Sequence, residues 1–186
     1  MASGVTPARA RYTSPGMAAT ETITFHVPED PEFLQAVARV SLVHAHLDYS
    51  LRMYIKTLAD VSIAEALDAT EFEGSRNLRD RIRKLAKPRI GDGQALVKLQ
   101  ALLKRCEDAS TMRNDLLHNI IVLADETRPE IRGPDHSWRS LPSAKELNTL
   151  ARTLTTLAVE LNHARLSGWL AEALEKTKAK KLKPAD

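Results

Sequence analysis

Apolar residues recur three and four positions apart through most of the chain, which is the spacing of helices that bury one face. The first such stripe follows Asp30, an N-cap residue, and a proline at the first helical position. It predicts a helix from Pro31 to about Ala59. The apolar positions of this stripe are Phe33, Val37, Val40, Val43, Leu47, Leu51, Tyr54, Ile55 and Leu58.

Two shorter helices are predicted next. Ser62 and Glu65 have the spacing of a capping box and indicate a short second helix that ends near residue 69. A basic third helix is predicted over about residues 75–86. Pro88 should stop it, because proline disfavours helical geometry in the residue before it.

The sequence GDGQ then interrupts the pattern, and Asp92 within it is a candidate cap for a long fourth helix to about Leu123. Three prolines and a glycine over residues 125–142 predict an irregular loop. Ser143 and Glu146 form a second capping-box pattern and open the last helix. The leucine stripe of that helix fades into a lysine-rich tail.

These elements predict an all-α protein, an up-and-down bundle of four to five helices without a sheet. An aromatic content of only 4% agrees with packed helices. The predicted organisation is a flexible N-terminal segment (1–27), a helical domain (28–175) and a basic C-terminal tail (176–186). Met17 is an alternative start of translation.

Cysteine content and hydropathy indicate the cellular compartment in which we expect the protein. Cys106 is the single cysteine of the sequence, which excludes an internal disulfide and fits a reducing environment. No apolar run is long enough to cross a membrane, and the N-terminal residues lack the apolar core of a secretory signal. We therefore expect a cytoplasmic protein with no membrane partner.

Positive charge is concentrated in two segments. Residues 76–89 hold seven basic side chains against one aspartate, a net +6, and residues 176–186 hold five lysines against one aspartate, a net +4. An anionic partner, most often nucleic acid, explains this distribution, and so does a solvated helix face with a solubilising tail. The candidate RNA-binding residues are Arg76, Arg79, Arg83 and Lys84.

The fourth helix carries RNDLLHNI, residues 113–120, in which an arginine stands among leucines. At about 100° per residue, Arg113 falls within the apolar face, while Asn114 and His118 lie along its flank. A buried guanidinium is costly unless a partner compensates its charge. Two interpretations stay open: an ion pair with Asp48 of the first helix, or an anion site at a subunit contact.

Arg39 and His44 repeat the same spacing in the first helix. There the histidine points into the apolar stripe and the arginine lies away from it, so we expect a packed, hydrogen-bonded histidine. The sequence shows no His, Cys, Asp or Glu cluster with the spacing of metal ligands and no glycine-rich phosphate loop. Neither a metal nor a cofactor is predicted.

The sequence RNDLLH, late in a long helix of an all-helical protein, resembles the Arg-polar-x3-His motif of the HEPN superfamily. Three further features are similar to that family. Asp48 is an acidic residue inside the first long helix, the segment FEGSRNLRDRIRKLA lies between the two long helices, and a polar loop with a closing helix follows the motif. The resemblance extends over residues 30–167.

The resemblance implies an α-helical homodimer in which two motif helices meet and form a composite cleft. Many HEPN proteins are metal-independent endoribonucleases of toxin–antitoxin and other conflict systems, whereas others are non-catalytic binding or regulatory modules. Carried onto this chain, Arg113 and His118 are the catalytic pair, Asn114 assists them and Asp48 supports the site. One branch of the family, which pairs with a nucleotidyltransferase antitoxin, has a tyrosine where this chain has Ile120, so that partner is not expected.

The predicted function is therefore cleavage of RNA to a 2′,3′-cyclic phosphate, with an antitoxin or regulatory protein as a further partner. The alternative is a non-catalytic module that binds a nucleotide or a protein. In the loop over residues 125–142, His136 and Trp138 are candidates for stacking on a base, against simple packing of the tryptophan.

Overall fold

The computed structural model describes residues 27–119, 121–123, 129–132 and 137–181, and within them the chain is mostly helical. The predicted flexible segment lies outside the described residues apart from Val27, and so does the end of the basic tail. The elements are α1 (Pro31–Ala59), α2 (Ile63–Asp68), α3 (Ser75–Ile90), α4 (Gln94–Leu117), β1 (Ile121–Leu123), β2 (Pro129–Arg132), β3 (Trp138–Ser140), α5 (Ala144–Leu166) and α6 (Trp169–Lys181).

α1 begins and ends where the sequence predicts. The Asp30 carboxylate accepts a hydrogen bond from the Glu32 N–H at 3.0 Å, and a proline occupies the first helical position. At the other end Asp60 adopts a left-handed conformation with φ 63°, and its N–H donates to the last turn of the helix at 3.0 Å. Both ends of α1 are therefore fixed by residues next to the helix in sequence.

Both predicted capping boxes are present. Ser62 Oγ accepts from the Glu65 N–H at 3.2 Å, and the Glu65 carboxylate accepts from the Ser62 N–H at 2.8 Å. Ser143 and Glu146 form the same pair of bonds at 3.3 and 2.7 Å. Hydrogen bonds from the serine backbone and side chains lower the pKa of both glutamates. The starts of α2 and α5 are thus set locally.

Five of the described helices, α1, α3, α4, α5 and α6, contribute to one apolar core. α1 packs most extensively against α5 and next against α3, and α4 contacts these same two helices. Within the described ranges no helix is both long and apolar enough to cross a lipid bilayer. Fully buried core residues include Val40, Leu47, Leu51, Leu78, Ile82, Leu103, Cys106, Leu154, Leu157 and Leu161.

α3 continues one turn beyond its predicted end. The helix runs through Pro88 and ends at Ile90, so the predicted stop near residue 86 is wrong. The missing proline N–H affects only this last turn, and burial of Ile90 in the core holds the turn in place. Gly91 is the C-cap residue, and its φ of 71° lies in a region that favours glycine.

α4 differs from the prediction at both ends. Gly93 is its N-cap, whereas Asp92, the predicted cap, forms an ion pair with Lys87 Nζ at 3.0 Å. The helix ends at Leu117, about six residues earlier than predicted, and His118 is the C-cap residue. The motif therefore occupies the end of a helix and not its interior.

A small antiparallel sheet replaces the predicted helix end and part of the predicted loop. The strands lie in the order β1-β2-β3, with Ile121 opposite Ile131 and Glu130 opposite Ser140. The prediction of an irregular loop over 125–142 without strands is wrong for these residues. β-branched residues run in succession at β1, which favours a strand, but strands of three or four residues are too short to show alternation.

α6 follows α5 after a break at Ser167 and Gly168. The N–H groups of both residues donate to the His163 carbonyl, at 3.1 and 2.9 Å, which closes α5. Leu170 then enters the core and is fully buried. The first part of the predicted basic tail therefore belongs to a helix that packs on the domain.

Candidate functional site

The motif lies on a cavity of about 370 Å³ between α1, α3 and α4. α1 contributes a histidine and a carboxylate, the start of α3 contributes a hydroxyl and two guanidinium groups, and the end of α4 contributes the motif. Three arginines against one aspartate give the lining a net charge of +2 when its histidines are neutral. The polar side chains are His44, Asp48, Ser75, Arg76, Asn77, Arg79, Ser110, Thr111, Arg113, Asn114 and His118.

The three predicted catalytic residues meet at the end of α4. Arg113 Nη1 donates to Asn114 Oδ1 at 3.0 Å and lies 3.3 Å from His118 Nε2. Because a guanidinium only donates, the second contact is a hydrogen bond when Nε2 holds its lone pair and the proton is on Nδ1. Arg113 is half-buried, whereas Asn114 and His118 are exposed. The structure thus places a proton-accepting nitrogen directly beside a fixed positive charge.

The end of α4 produces this geometry. His118 has φ −108° and ψ −4°, outside the regular helix, and its N–H donates to the Asn114 carbonyl at 2.9 Å. A continued helix would carry the histidine along the flank of the apolar face. The turn at Leu117 instead leaves the imidazole within hydrogen-bond distance of Arg113.

Asp48 does not neutralise Arg113. Its Oδ1 accepts a hydrogen bond from Ser75 Oγ at 2.5 Å, and its Oδ2 lies 3.6 Å from His44 Nδ1. Among the described residues no carboxylate pairs with Arg113, and the buried Nε of that arginine has no hydrogen-bond partner. The ion-pair interpretation of Arg113 therefore does not match the geometry.

His44 is packed and hydrogen-bonded, as its position on the apolar stripe predicts. It is 5% exposed, and its Nε2 lies 3.3 Å from Ser110 Oγ and 3.4 Å from Ser75 Oγ. Burial lowers the pKa of His44; Asp48 opposes this, and the nearby guanidinium groups add to it. At pH 7 His44 is therefore neutral and forms part of the cavity wall.

Arg79 lies inside the cavity and not on the basic outer face of α3. It is 5% exposed, and its Nη1 donates to Ser110 Oγ at 3.4 Å. The Ser110 hydroxyl in turn donates to the Cys106 carbonyl at 2.8 Å. Burial lowers the pKa of Arg79, with Glu107 opposing. The prediction that groups Arg79 with solvent-facing RNA-binding residues needs this correction.

The other three predicted RNA-binding residues are exposed but do not form one surface around the cavity. Arg76 lines the cavity. Arg83 donates to Asp80 at 2.7 Å and to Glu107 at 3.2 Å, and Lys84 also lies outside the cavity. Of these three, only Arg76 is placed to meet a ligand in the cavity.

The remaining candidates lie elsewhere. Arg39, the arginine of the second Arg-x4-His pair, donates a hydrogen bond to Asn148 on α5 and lines a different cavity. His136 lies outside the described residues. Trp138, in β3, is 43% exposed and does not line the cavity at the motif. A stacking role for the tryptophan would therefore require a ligand that extends beyond this cavity.

Sequence reasoning did not assign His44, Ser75 and Ser110 to the site. Two helical spacings could have indicated them: His44 and Asp48 are four apart, and Ser110 precedes Arg113 by three. Ser75 has no such signal, because it reaches the cavity from the start of a different helix. Its place in the site depends on how α3 packs against α1.

Comparisons of the chain with protein-family models, with curated proteins and with solved structures find no match. Within the part of the chain that the structure describes, no group of three or more His, Cys, Asp or Glu side chains is placed to hold a metal ion. What the site can do follows from its own residues. It can bind an anion with two guanidinium groups that form no ion pair with a carboxylate of the described residues, and it can accept a proton beside one of them.

Proposed function

We propose that the protein is a HEPN-like endoribonuclease that cleaves RNA without a divalent metal ion and leaves a 2′,3′-cyclic phosphate. The single observation that supports this most strongly is the 3.3 Å contact between Arg113 Nη1 and His118 Nε2 on a positively charged cavity. A proton acceptor and a permanent cation are then close enough to act on one phosphodiester.

In the proposed reaction, His118 Nε2 takes the proton of the 2′-hydroxyl as the 2′-oxygen attacks phosphorus. The bond from phosphorus to the 5′-oxygen breaks, and that oxygen leaves with a proton from a second acid. Histidine suits this work because its charge changes between pH 5 and 8, and such proton transfer contributes about 10²–10⁴-fold. Arg113 binds the non-bridging oxygens, and Asn114 Oδ1 holds the guanidinium in position.

The second acid comes, in this proposal, from a second copy of the chain. His44 is buried and hydrogen-bonded to serine hydroxyls, so His118 is the exposed imidazole of the cavity within one chain. A homodimer through α4 would bring two copies of His118 together. The dimer, the up-and-down bundle, RNA as substrate and an antitoxin or regulatory partner all belong to this proposal.

The test is cleavage of 5′-labelled RNA by purified protein in the presence of EDTA. We expect His118→Ala and Arg113→Ala to lose at least about 10²-fold in rate while remaining folded by circular dichroism. His46→Ala and Arg39→Ala are matched controls, because both residues are exposed on α1 and do not line this cavity. Intact RNA in every condition, or wild-type cleavage by His118→Ala, would contradict the proposal.

One observation favours a second candidate, a non-catalytic module that binds a nucleotide or protein. A single exposed imidazole per cavity can bind a phosphate but cannot both accept and donate protons in one step. If the protein is a monomer in solution, this alternative is preferred. His118→Ala should then weaken ligand binding without affecting any reaction rate.

A further inference from the structure

Arg79 is a buried cation that the described part of the chain does not neutralise. Among the described residues no carboxylate pairs with its guanidinium, since Glu107 and Asp48 act on its charge only from beyond ion-pair distance. Its one hydrogen bond within this part of the chain goes to a neutral hydroxyl at 3.4 Å, and its buried Nε has no partner there. A buried guanidinium without a counter-charge is costly, and structural arginines normally have a carboxylate partner. Arg79 therefore favours binding of an anion in this cavity.

Arg113, which is half-buried, lines the same cavity. Its Nη1 donates to Asn114 Oδ1 and lies 3.3 Å from His118 Nε2, and its buried Nε also has no partner among the described residues. Two guanidinium groups from different helices thus line one cavity, and among the described residues neither forms an ion pair with a carboxylate. This is the arrangement that binds the oxygens of a phosphate.

The charge of the lining indicates which ligand charge the cavity favours. Arg76, Arg79 and Arg113 contribute three positive charges and Asp48 contributes one negative charge, and burial keeps His44 neutral. The net charge of the lining is therefore +2 when the imidazole of His118 is neutral. A ligand with two negative charges therefore brings the cavity to neutrality, whereas a phosphodiester with one leaves it positive. Ser75 and Ser110 place hydroxyl groups in the same lining, which can bond to ligand oxygens.

We infer that the cavity is a binding site for a dianionic phosphate group, held by Arg79 together with Arg113. The link to catalysis rests on the proposed function. If the protein cleaves RNA, a site for a dianion explains why it would promote the reaction. The scissile phosphodiester carries one negative charge, and the phosphorane formed from it carries two. A cavity that matches the dianion binds the transition state more tightly than the substrate.

Inorganic phosphate is the simplest probe. At pH 8.0, thermal unfolding is compared in sodium phosphate and in sodium chloride of the same ionic strength. At a phosphate concentration about ten times Kd, we expect the melting temperature of the wild type to rise by roughly 3–6 °C. No rise beyond that in chloride would overturn the inference.

Three variants separate Arg79 from general charge effects. Arg79→Met should lose most of the phosphate-dependent rise, and its melting temperature without phosphate should equal or exceed that of the wild type. Arg83→Met removes the same charge from the outer face of α3, where Asp80 and Glu107 pair with it, and should keep the full rise. Asp48→Asn should bind phosphate roughly tenfold more tightly, because loss of the carboxylate raises the net charge of the lining by one.

Arg79→Lys is the control for misfolding of Arg79→Met. It keeps the positive charge and should retain part of the phosphate-dependent rise in melting temperature. If Arg79→Met binds phosphate like the wild type, or if Arg79→Met and Arg83→Met lose it equally, Arg79 does not form the site. Cytidine 3′-monophosphate and a deoxydinucleotide with one internal phosphodiester distinguish a phosphate end from a chain phosphate. We expect the monoester to bind roughly tenfold more tightly, and equal affinities would refute a site for a dianion.

The outcomes separate this inference from the proposed function. Phosphate binding that depends on Arg79, without RNA cleavage, supports the inference and contradicts the ribonuclease proposal. Cleavage that depends on His118, with phosphate binding unaffected in Arg79→Met, supports the ribonuclease and contradicts the assignment of Arg79.

Discussion

Replacing Asp48 with asparagine tests how much its carboxylate, which lines the cavity, contributes to the stability of the fold. Asp48→Asn keeps the shape of the side chain and removes its charge. The carboxylate accepts from Ser75 Oγ at 2.5 Å, and a hydrogen bond to a charged acceptor contributes about 1.5–3 kcal/mol, against about 0.5–1.5 kcal/mol for a neutral one. The difference predicts a loss of about 1–2 kcal/mol in the free energy of unfolding. Less compensation of Arg79 and Arg113 adds to this loss.

Urea denaturation and thermal unfolding, both followed by circular dichroism at pH 7.5, measure the effect. We expect an unchanged m-value and a melting temperature lower by roughly 2–8 °C. Asp80→Asn is the matched control, because its carboxylate is 47% exposed and pairs with Arg83 on the surface at 2.7 Å. An exposed pair at this helical spacing contributes under about 0.5 kcal/mol.

A double-mutant cycle with Ser75→Ala isolates the hydrogen bond itself. Asp48→Asn and Ser75→Ala should show a coupling free energy of about 0.5–1.5 kcal/mol, because each removes the same interaction. The reasoning is refuted if Asp48→Asn costs no more than Asp80→Asn, or if the two changes in the cycle are additive.

Three other predictions concern stability and reactivity. Gly91→Ala should lower the free energy of unfolding by about 1–2 kcal/mol, because a φ of 71° is strained for a residue with a Cβ. Gly93→Ala, with φ −162° and equally open surroundings, should change it by under about 0.5 kcal/mol in the same urea assay, and equal effects would contradict the reason given. Because the pKa of His44 is lowered from 6.5 on folding, the unfolded state binds this proton more readily, and stability is lost as pH falls below 6.5 towards the folded-state pKa. His44→Gln should reduce the change in the free energy of unfolding with pH by at most about 1.4 kcal/mol per pH unit. An unchanged pH dependence would show that other groups cause it. Burial raises the pKa of the Cys106 thiol to about 12, so a thiol reagent at pH 8 should react only after unfolding, and rapid reaction of the native protein would contradict this burial.

The helix starts could be predicted from the sequence because their causes are local. Asp30, Ser62 and Ser143 each cap a helix through bonds to residues two or three positions away. The predicted ends of α3 and α4 are wrong because residues distant in sequence determine where these helices end. α3 passes Pro88 because Ile90 is buried by other helices, and α4 ends early because the following residues pair with β2.

The candidate site likewise contains residues that a local motif can predict and residues that only the packing of the helices brings into place. Arg113, Asn114 and His118 lie within six residues, so one helix end brings them together and a short motif can indicate them. Arg79 lies in a segment so basic that its charge alone suggests a solvated surface. Its burial depends on the packing of α3 against α1 and α4, which no local pattern reveals.

The position of His118 at the junction of α4 and β1 has a mechanical consequence. Arg113 is anchored in the last turns of a long helix, whereas two residues separate His118 from the sheet. A displacement of the sheet would therefore move the imidazole relative to a stationary guanidinium. Substitutions in the strands could then tune the site from outside it, by altering the separation of its two principal groups.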